Sequence, residues 1–313
     1  MPAFMTELVT LSRGPLTLTL APACGGSIVR LIYYSPGGAE IPLFRVVEGE
    51  PVDPLSCASF PLVPFVNRVR DGRFTFRGRE VTLSQNLPGD PSPLHGQGWR
   101  APWKVARHAA DTADLVYRHE AGEWPWAYEA RQALRLETDG LTAGLSCTNL
   151  SDEPMPCGLG HHPYFNCGAE TRIDTEVACS WTIDANVLPV ERVPAEGRFD
   201  LRDRAICGQD LDHGFGGWSG RARIDDPELP FILELAAPEA GYFHIYSPSE
   251  GGIFAAEPVT HANAALNAPE DQWPELGLRV LEPGETMTLE MRLRTVSRQS
   301  GRSDCNGQPA PGH

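Results

Sequence analysis

An all-β protein, a large antiparallel β-sandwich, is predicted by three observations: short runs of alternating polarity, many chain-breaking residues and hardly any helical periodicity. The 31 glycines and 29 prolines among 313 residues favour many short strands joined by turns. Few windows keep a 3.6-residue apolar stripe for three turns without meeting one of these residues. Sandwiches and barrels reach about 200–250 residues as one unit, so this length does not demand two domains. No linker separates two composition regimes and no fixed-period repeat is present. A single domain is therefore expected over residues 1–296, and the polar, Pro/Gly-bearing stretch 297–313 is expected to be a disordered tail.

The strands follow from period two. Leu16-Thr17-Leu18-Thr19-Leu20, Phe74-Thr75-Phe76-Arg77 and Met287-Thr288-Leu289-Glu290-Met291-Arg292-Leu293 alternate as half-buried strands do. Asp139-Gly140 lies between Ala130–Thr138 and Leu141–Cys147, a hairpin signal. A second hairpin is expected to join Phe231–Leu235 to Tyr242–Tyr246 through Pro238-Glu239-Ala240-Gly241.

Bulk properties narrow the function. A formal charge of −15 opposes attraction to nucleic acid or anionic membrane, since phosphate binding needs clustered Lys and Arg. Neither partner is expected. The start, Met1 to Glu7, does not read as a secretory signal and no apolar run is long enough to span a bilayer, which predicts a cytoplasmic location. Eight cysteines without Cys-x-x-Cys spacing read as free thiols packed as small hydrophobes.

Five segments could carry chemistry. Gly158-Leu159-Gly160-His161-His162-Pro163-Tyr164-Phe165-Asn166 packs two imidazoles, a rigid proline and two rings into nine residues. Pro163 restricts His162 to extended backbone, and an imidazole with a reference pKa of about 6.5 exchanges protons at neutral pH. Glu257 follows the apolar Phe254-Ala255-Ala256, where desolvation would raise its basicity. In Pro93-Leu94-His95-Gly96-Gln97-Gly98-Trp99-Arg100, Trp99 could stack on a sugar ring, His95 could bind a hydroxyl, and the glycines could admit a ligand. Asn67 and Arg68 sit between apolar neighbours, placing fixed donors where a polar ligand could use them. Asp212, before His213-Gly214, could bind two hydroxyls. Each has a plainer alternative: core-satisfied histidines, a strand-end glutamate, an internal ion pair at Arg68 and turn chemistry at Asp212. Histidines 161, 162, 213, 244 and 261 could converge on a metal, but their spacing matches no metal motif and none is expected. Nucleotide-binding loops and a nucleophile elbow are absent.

Taken in order, Asn67-Arg68, His95-Gly96, His162-Pro163-Tyr164-Phe165, Asp212-His213 and Glu257-Pro258 resemble the aldose 1-epimerase (galactose mutarotase-like) family over most of the chain. The resemblance implies a supersandwich with a sugar in a cleft on one sheet. It implies that His162 is the general acid at the ring oxygen, that Glu257 is the general base at the anomeric hydroxyl, and that Arg68, His95 and Asp212 hold sugar oxygens. The sequence departs from the better-known pattern in having His161 where asparagine is usual and Glu257-Pro258-Val259 where Glu-x-Gln is usual. Opening a hemiacetal moves protons at two oxygens, so no cofactor is needed. The implied activity is anomer interconversion of a free hexose. The alternatives are a hexose-6-phosphate 1-epimerase, suggested by Arg68, Arg70, Arg73 and Arg100, and a non-catalytic sugar-binding or sensing protein.

Overall fold

In a computed structural model, which describes residues 7–47, 49 and 52–298, the alternating runs become strands and every helical element is a single 3₁₀ turn. All strand pairings are antiparallel, as the expected all-β sandwich requires. Nine strands form one large sheet, with the long Thr286–Ser297 strand between Phe231–Ala236 and Gly140–Asn149. Eight form a second, in which Ile253–Val259 pairs with Tyr242–Ser247 on one side and with Gly160–His161 and Tyr164–Asn166 on the other, and a four-stranded sheet and two strand pairs complete the fold. The buried side chains of the two sheets merge in one apolar cluster. Leu134, Leu145 and Leu289 come from the first sheet, and Phe215, Phe243, Ile245 and Phe254 from the second. Fully burying each such side chain contributes about 1.5–3 kcal/mol.

The Asp139-Gly140 hairpin forms, with Leu136 opposite Leu141. The second expected hairpin does not. Phe231–Ala236 pairs with Arg221–Asp225 and Thr286–Ser297 in the nine-stranded sheet, whereas Tyr242–Ser247 pairs with Leu211–Gly216 and Ile253–Val259 in the eight-stranded one. The connection therefore crosses between sheets. Each strand is flanked on both sides, and the buried runs Phe231-Ile232-Leu233 and Phe243-His244-Ile245 suit strands covered on both faces. Ala237 and Ala240 anchor the crossing inside the core. Pro238 has no N–H to offer a ladder.

Phe74–Arg77 is a strand only to Phe76; Arg77 and Gly78 take left-handed φ values of 49° and 78° and turn the chain into Arg79–Thr82. At the carboxyl end the last strand includes Ser297, and Arg298 donates to the Leu229 carbonyl and pairs with Asp225 at 2.6 Å. Of the expected tail, Ser297 thus belongs to the sheet and the Arg298 side chain is bonded to Asp225 at its edge. The remainder, with Cys305, lies outside the described residues, as do residues 1–6. The other seven cysteines are free, five of them buried. No helix among the described residues is long and apolar enough to cross a membrane.

Candidate active site

Strand register assembles the site. Gly160 lies opposite Val259 and Tyr164 opposite Ala255, one common register that sets His162 across from Glu257. On the other side of the same strand, His244 is the direct partner of Glu257 and faces Gly214 beyond it. Directly opposed residues of antiparallel strands share a face. One row therefore reads His162, Glu257, His244, Gly214. The next, one pleat along, reads Tyr164, Ala255, Tyr246, Asp212. Residues of opposite parity, among them Phe243, Ile245, Phe254 and Ala256, point into the inter-sheet core.

His162 is held between Phe60, stacked at 4.5 Å, and Tyr164, at 4.6 Å between centroids. Its Nε2 lies 3.2 Å from Glu257 Oε1, and the two residues are 6% and 2% exposed. That separation suits an ion pair, but such dry surroundings favour neutral partners. Burial, reinforced by the neighbouring His244, depresses His162 to about 3. Burial likewise pushes Glu257 up to about 8, with His244 and Arg68 opposing and Asp212 assisting. Across neutral pH the pair thus holds one proton, carried mainly by the carboxyl group. Glu257 Oε2 is buried without a hydrogen-bond partner among the described residues.

His244 Nε2 lies 2.7 Å from Asp212 Oδ1, and its Nδ1 lies 3.1 Å from Asn67 Nδ2. Burial alone would depress His244, but the Asp212 hydrogen bond and the nearby Glu257 carboxyl raise it. Burial would raise Asp212; its bond to His244, with the charges of His244 and Arg68, holds it below the ordinary range. The Arg68 guanidinium donates to Asp90 at 3.0 Å, bonds Asn67 Oδ1 at 3.3 Å and approaches Asp212 to 3.8 Å. His95 accepts the Asn67 amide N–H on Nδ1 at 3.0 Å, which fixes the proton on Nε2 and makes that atom a donor. Its ring stands perpendicular to His162 at 5.5 Å, and burial keeps it neutral.

The structure thus brings Asn67, Arg68, His95, His162, Asp212 and Glu257 together. Trp99 is a correction. It is 0% exposed, stacks on Phe60 at 5.5 Å, lies under the Arg100 guanidinium and donates Nε1–H to the Leu94 carbonyl. No face of the indole is open to a sugar; it backs the ring that backs His162. The neighbouring glycines also differ from expectation. A Cβ on Gly96 would come within 2.2 Å of the Val63 carbonyl oxygen, and one on Gly98 within 2.3 Å of the Val63 side chain, so they admit the protein's own loop rather than a ligand. Asp212 is a strand residue, not a turn residue; the left-handed turn is at Asp210.

His244 and Asp90 join the site in addition to the residues expected from the sequence. Alternation in Tyr242-Phe243-His244-Ile245-Tyr246 puts a histidine on the face of two tyrosines, a readable signal hidden by the mistaken hairpin. The other histidines disperse. His161 points the opposite way from His162, bonded toward the Ala143 backbone of the nine-stranded sheet, and His261 is engaged at both ring nitrogens in the loop after Val259. A cavity of about 460 Å³ adjoins the cluster at Asp212 and Tyr246. A larger one, about 710 Å³, is lined by Ser84, Gln97, Arg100 and Glu123 and contains none of the paired groups. The chemistry, rather than cavity size, locates the site.

A buried carboxyl–imidazole pair sharing one proton, ringed by fixed donors and acceptors on one face of an antiparallel sheet, is an arrangement that can exchange protons with a polar ligand. Residues 8–294 match the family model for aldose 1-epimerase, and the chain belongs to that family. An uncharacterised Escherichia coli K12 protein, YphB, is 38% identical over 248 residues, 75% of this chain and 82% of its own. A solved E. coli K12 structure described as a candidate aldose 1-epimerase superposes with a TM-score of 0.84 at 34% identity, covering 92% of this chain and 98% of that one. A galactose mutarotase-like protein from Clostridium acetobutylicum, 18% identical, shares the fold with a TM-score of 0.80, covering 92% and 94%.

Proposed function

We propose that this protein is an aldose 1-epimerase that interconverts the α and β anomers of a free hexose, with His162 and Glu257 as the acid–base pair. The observation that carries this reading is the 3.2 Å contact between two buried groups whose proton affinities are driven apart, beside a carboxyl oxygen with no hydrogen-bond partner among the described residues. Ring opening removes the proton of the anomeric hydroxyl and delivers one to the ring oxygen. With the shared proton on His162, the Glu257 carboxylate takes the first and the imidazole supplies the second. Rotation about C1–C2 of the open aldehyde and reclosure with roles reversed give the other anomer, and the pair ends with the one proton it began with. Sugar hydroxyls at Glu257 Oε2 would favour the charged arrangement that burial disfavours. Arg68, His95 through Nε2, and Asp212 supply donors and an acceptor for the remaining oxygens.

Three of the four arginines favour a free sugar over a phosphorylated one. Arg68 is matched by Asp90, Arg70 by Asp184 at 3.5 Å, and Arg100 by Asp53 at 3.2 Å, so a phosphate would have to displace a carboxylate to gain any of them. The test is anomer exchange by NMR or polarimetry on freshly dissolved D-glucose and D-galactose, with glucose 6-phosphate in parallel. Acceleration with a free aldose is expected. No acceleration over buffer with any aldose would refute the assignment, and turnover of the phosphate alone would transfer it to the 6-phosphate. Binding and exchange both unchanged in Glu257→Gln would leave only a sugar-binding role.

A further inference from the structure

The segment carrying Asn67 and Arg68 has an unusual hydrogen-bond arrangement. Asn67 takes a left-handed φ of 56°, so the chain here cannot run as an ordinary ladder strand. Yet all five consecutive amides are bonded, four of them to side chains. Val66 N–H donates to His261 Nε2 at 3.0 Å, Asn67 to His95 Nδ1 at 3.0 Å, Arg68 to Asn263 Oδ1 at 3.1 Å and Arg70 to Asn267 Oδ1 at 2.7 Å. Val69 donates to the Pro93 carbonyl at 3.0 Å. Leaving a buried donor such as the Val66 or Asn67 amide unpaired costs about 1–3 kcal/mol.

Three of the four acceptors come from one loop, the residues directly after the strand that carries Glu257. We infer that His261 and Asn263 are positioning residues: they clasp the backbone at Val66 and Arg68, on either side of Asn67, to the loop that continues the Glu257 strand, and so fix the distance between the sugar-gripping guanidinium and the proton-transferring carboxyl. This rests on the reading of Arg68 as a sugar contact.

The clasp is anchored at both ends. Leu159 N–H donates to Thr260 Oγ1 and Thr260 N–H to the Leu159 carbonyl, both at 2.9 Å, which ties the loop's start to the His162 segment. His261 Nδ1 bonds the Ala262 carbonyl at 2.8 Å, which fixes its proton there and leaves Nε2 as the acceptor. Gly158 leaves room for that ring, since a Cβ there would come within 2.0 Å of it. Asn263 Nδ2 donates to the Val187 carbonyl at 2.9 Å, which orients its amide so that Oδ1 faces Arg68. Arg68 in turn reaches Asp90 and Asp212, so a shift of its backbone moves the charge beside both.

The experiment is a double-mutant cycle. Asn263→Leu removes the acceptor, Asn263→Asp keeps it, and Asn267→Leu deletes a comparable bond two residues farther along. Anomer exchange on D-glucose and D-galactose is measured in wild-type and Arg68→Ala backgrounds, with thermal melts to confirm folding. Asn263→Leu is expected to lower kcat/KM about tenfold, mainly through KM, Asn263→Asp to recover most of it, and Asn267→Leu to lower Tm without moving KM. In the Arg68→Ala background Asn263→Leu should cost nothing more. Full additivity with Arg68→Ala, or an unchanged KM in a folded Asn263→Leu, would overturn the proposal. If the wild type turns over no aldose, the functional reading fails, and amide hydrogen exchange still decides the clasp. Faster exchange at Arg68 in Asn263→Leu supports it, and unchanged protection there overturns it.

Discussion

Replacing Glu257 with Gln should stabilise the protein while disabling it, and the stabilisation should depend on pH in a defined way. The carboxyl is raised from 4.5 to about 8 by burial, so the folded state keeps a proton that the unfolded chain releases near 4.5. Between those values the folded state binds more protons, and stability is lost as pH rises through the window. A difference of 3.5 pKa units at 1.36 kcal/mol each caps the effect at about 5 kcal/mol, and relaxation around the pair reduces it to roughly 2–5 kcal/mol at pH 8. Gln resembles the protonated carboxyl in shape and does not titrate. With an unfolding entropy of about 2.1 cal/mol/K per residue, a chain of this length gains roughly 3–8 °C in Tm at pH 8 and almost nothing near pH 4.5. The assay is a series of thermal melts of wild type and Glu257→Gln from pH 4.5 to 9. Other titrating groups are common to both proteins and largely cancel in the difference. A Tm difference that stays flat across the series would show that Glu257 ionises normally, and the shared-proton description of the site would be wrong. In the same samples, loss of the base should lower kcat by about 10²–10⁴-fold.

The pair's own titration predicts the pH profile of kcat/KM, corrected for the buffer-catalysed rate. The active form holds one proton between His162 and Glu257, so activity should persist into acid and fall as that proton is lost above about 8; a profile still rising through pH 9 would contradict it. Trp99→Leu should lower stability by about 2–4 kcal/mol, as for other large-to-small core changes, with sugar affinity nearly retained in the folded fraction. A large rise in KM at unchanged Tm would restore the stacking role. Gly158→Ala drives a methyl group into the His261 ring and should cost about 3 kcal/mol or more, read as a drop in Tm; wild-type stability would show that the ring can move aside.

Much of this architecture was legible because alternation is a local property. Leu16–Leu20, Met287–Leu293 and the Asp139-Gly140 hairpin each declare themselves within a few residues. Pairing partners are not local, and alternation does not report them. Phe231–Ala236 and Tyr242–Ser247 are strands as expected, but no residue between them announces that the chain changes sheets. That one error also concealed His244. Had Tyr242–Ser247 been placed beside Ile253–Val259, the parity of 242, 244 and 246 would have set an imidazole on the site face next to Glu257. Trp99 failed for the opposite reason. Its flanking glycines looked like space for a ligand, whereas both are closed by Val63, and only the folded loop reveals what fills a glycine's vacancy. The motif residues that the fold brings together share one property: each is a polar group in an apolar or tightly turned setting, where leaving it unpaired would be costly. Asn263 lacks such a setting. It is a half-buried loop residue whose acceptor matters because Arg68 N–H, distant in sequence, has no ladder to join. The groups that would perform the chemistry were therefore visible one by one, while the bonds that hold them at working distance arise only from register and chain crossing.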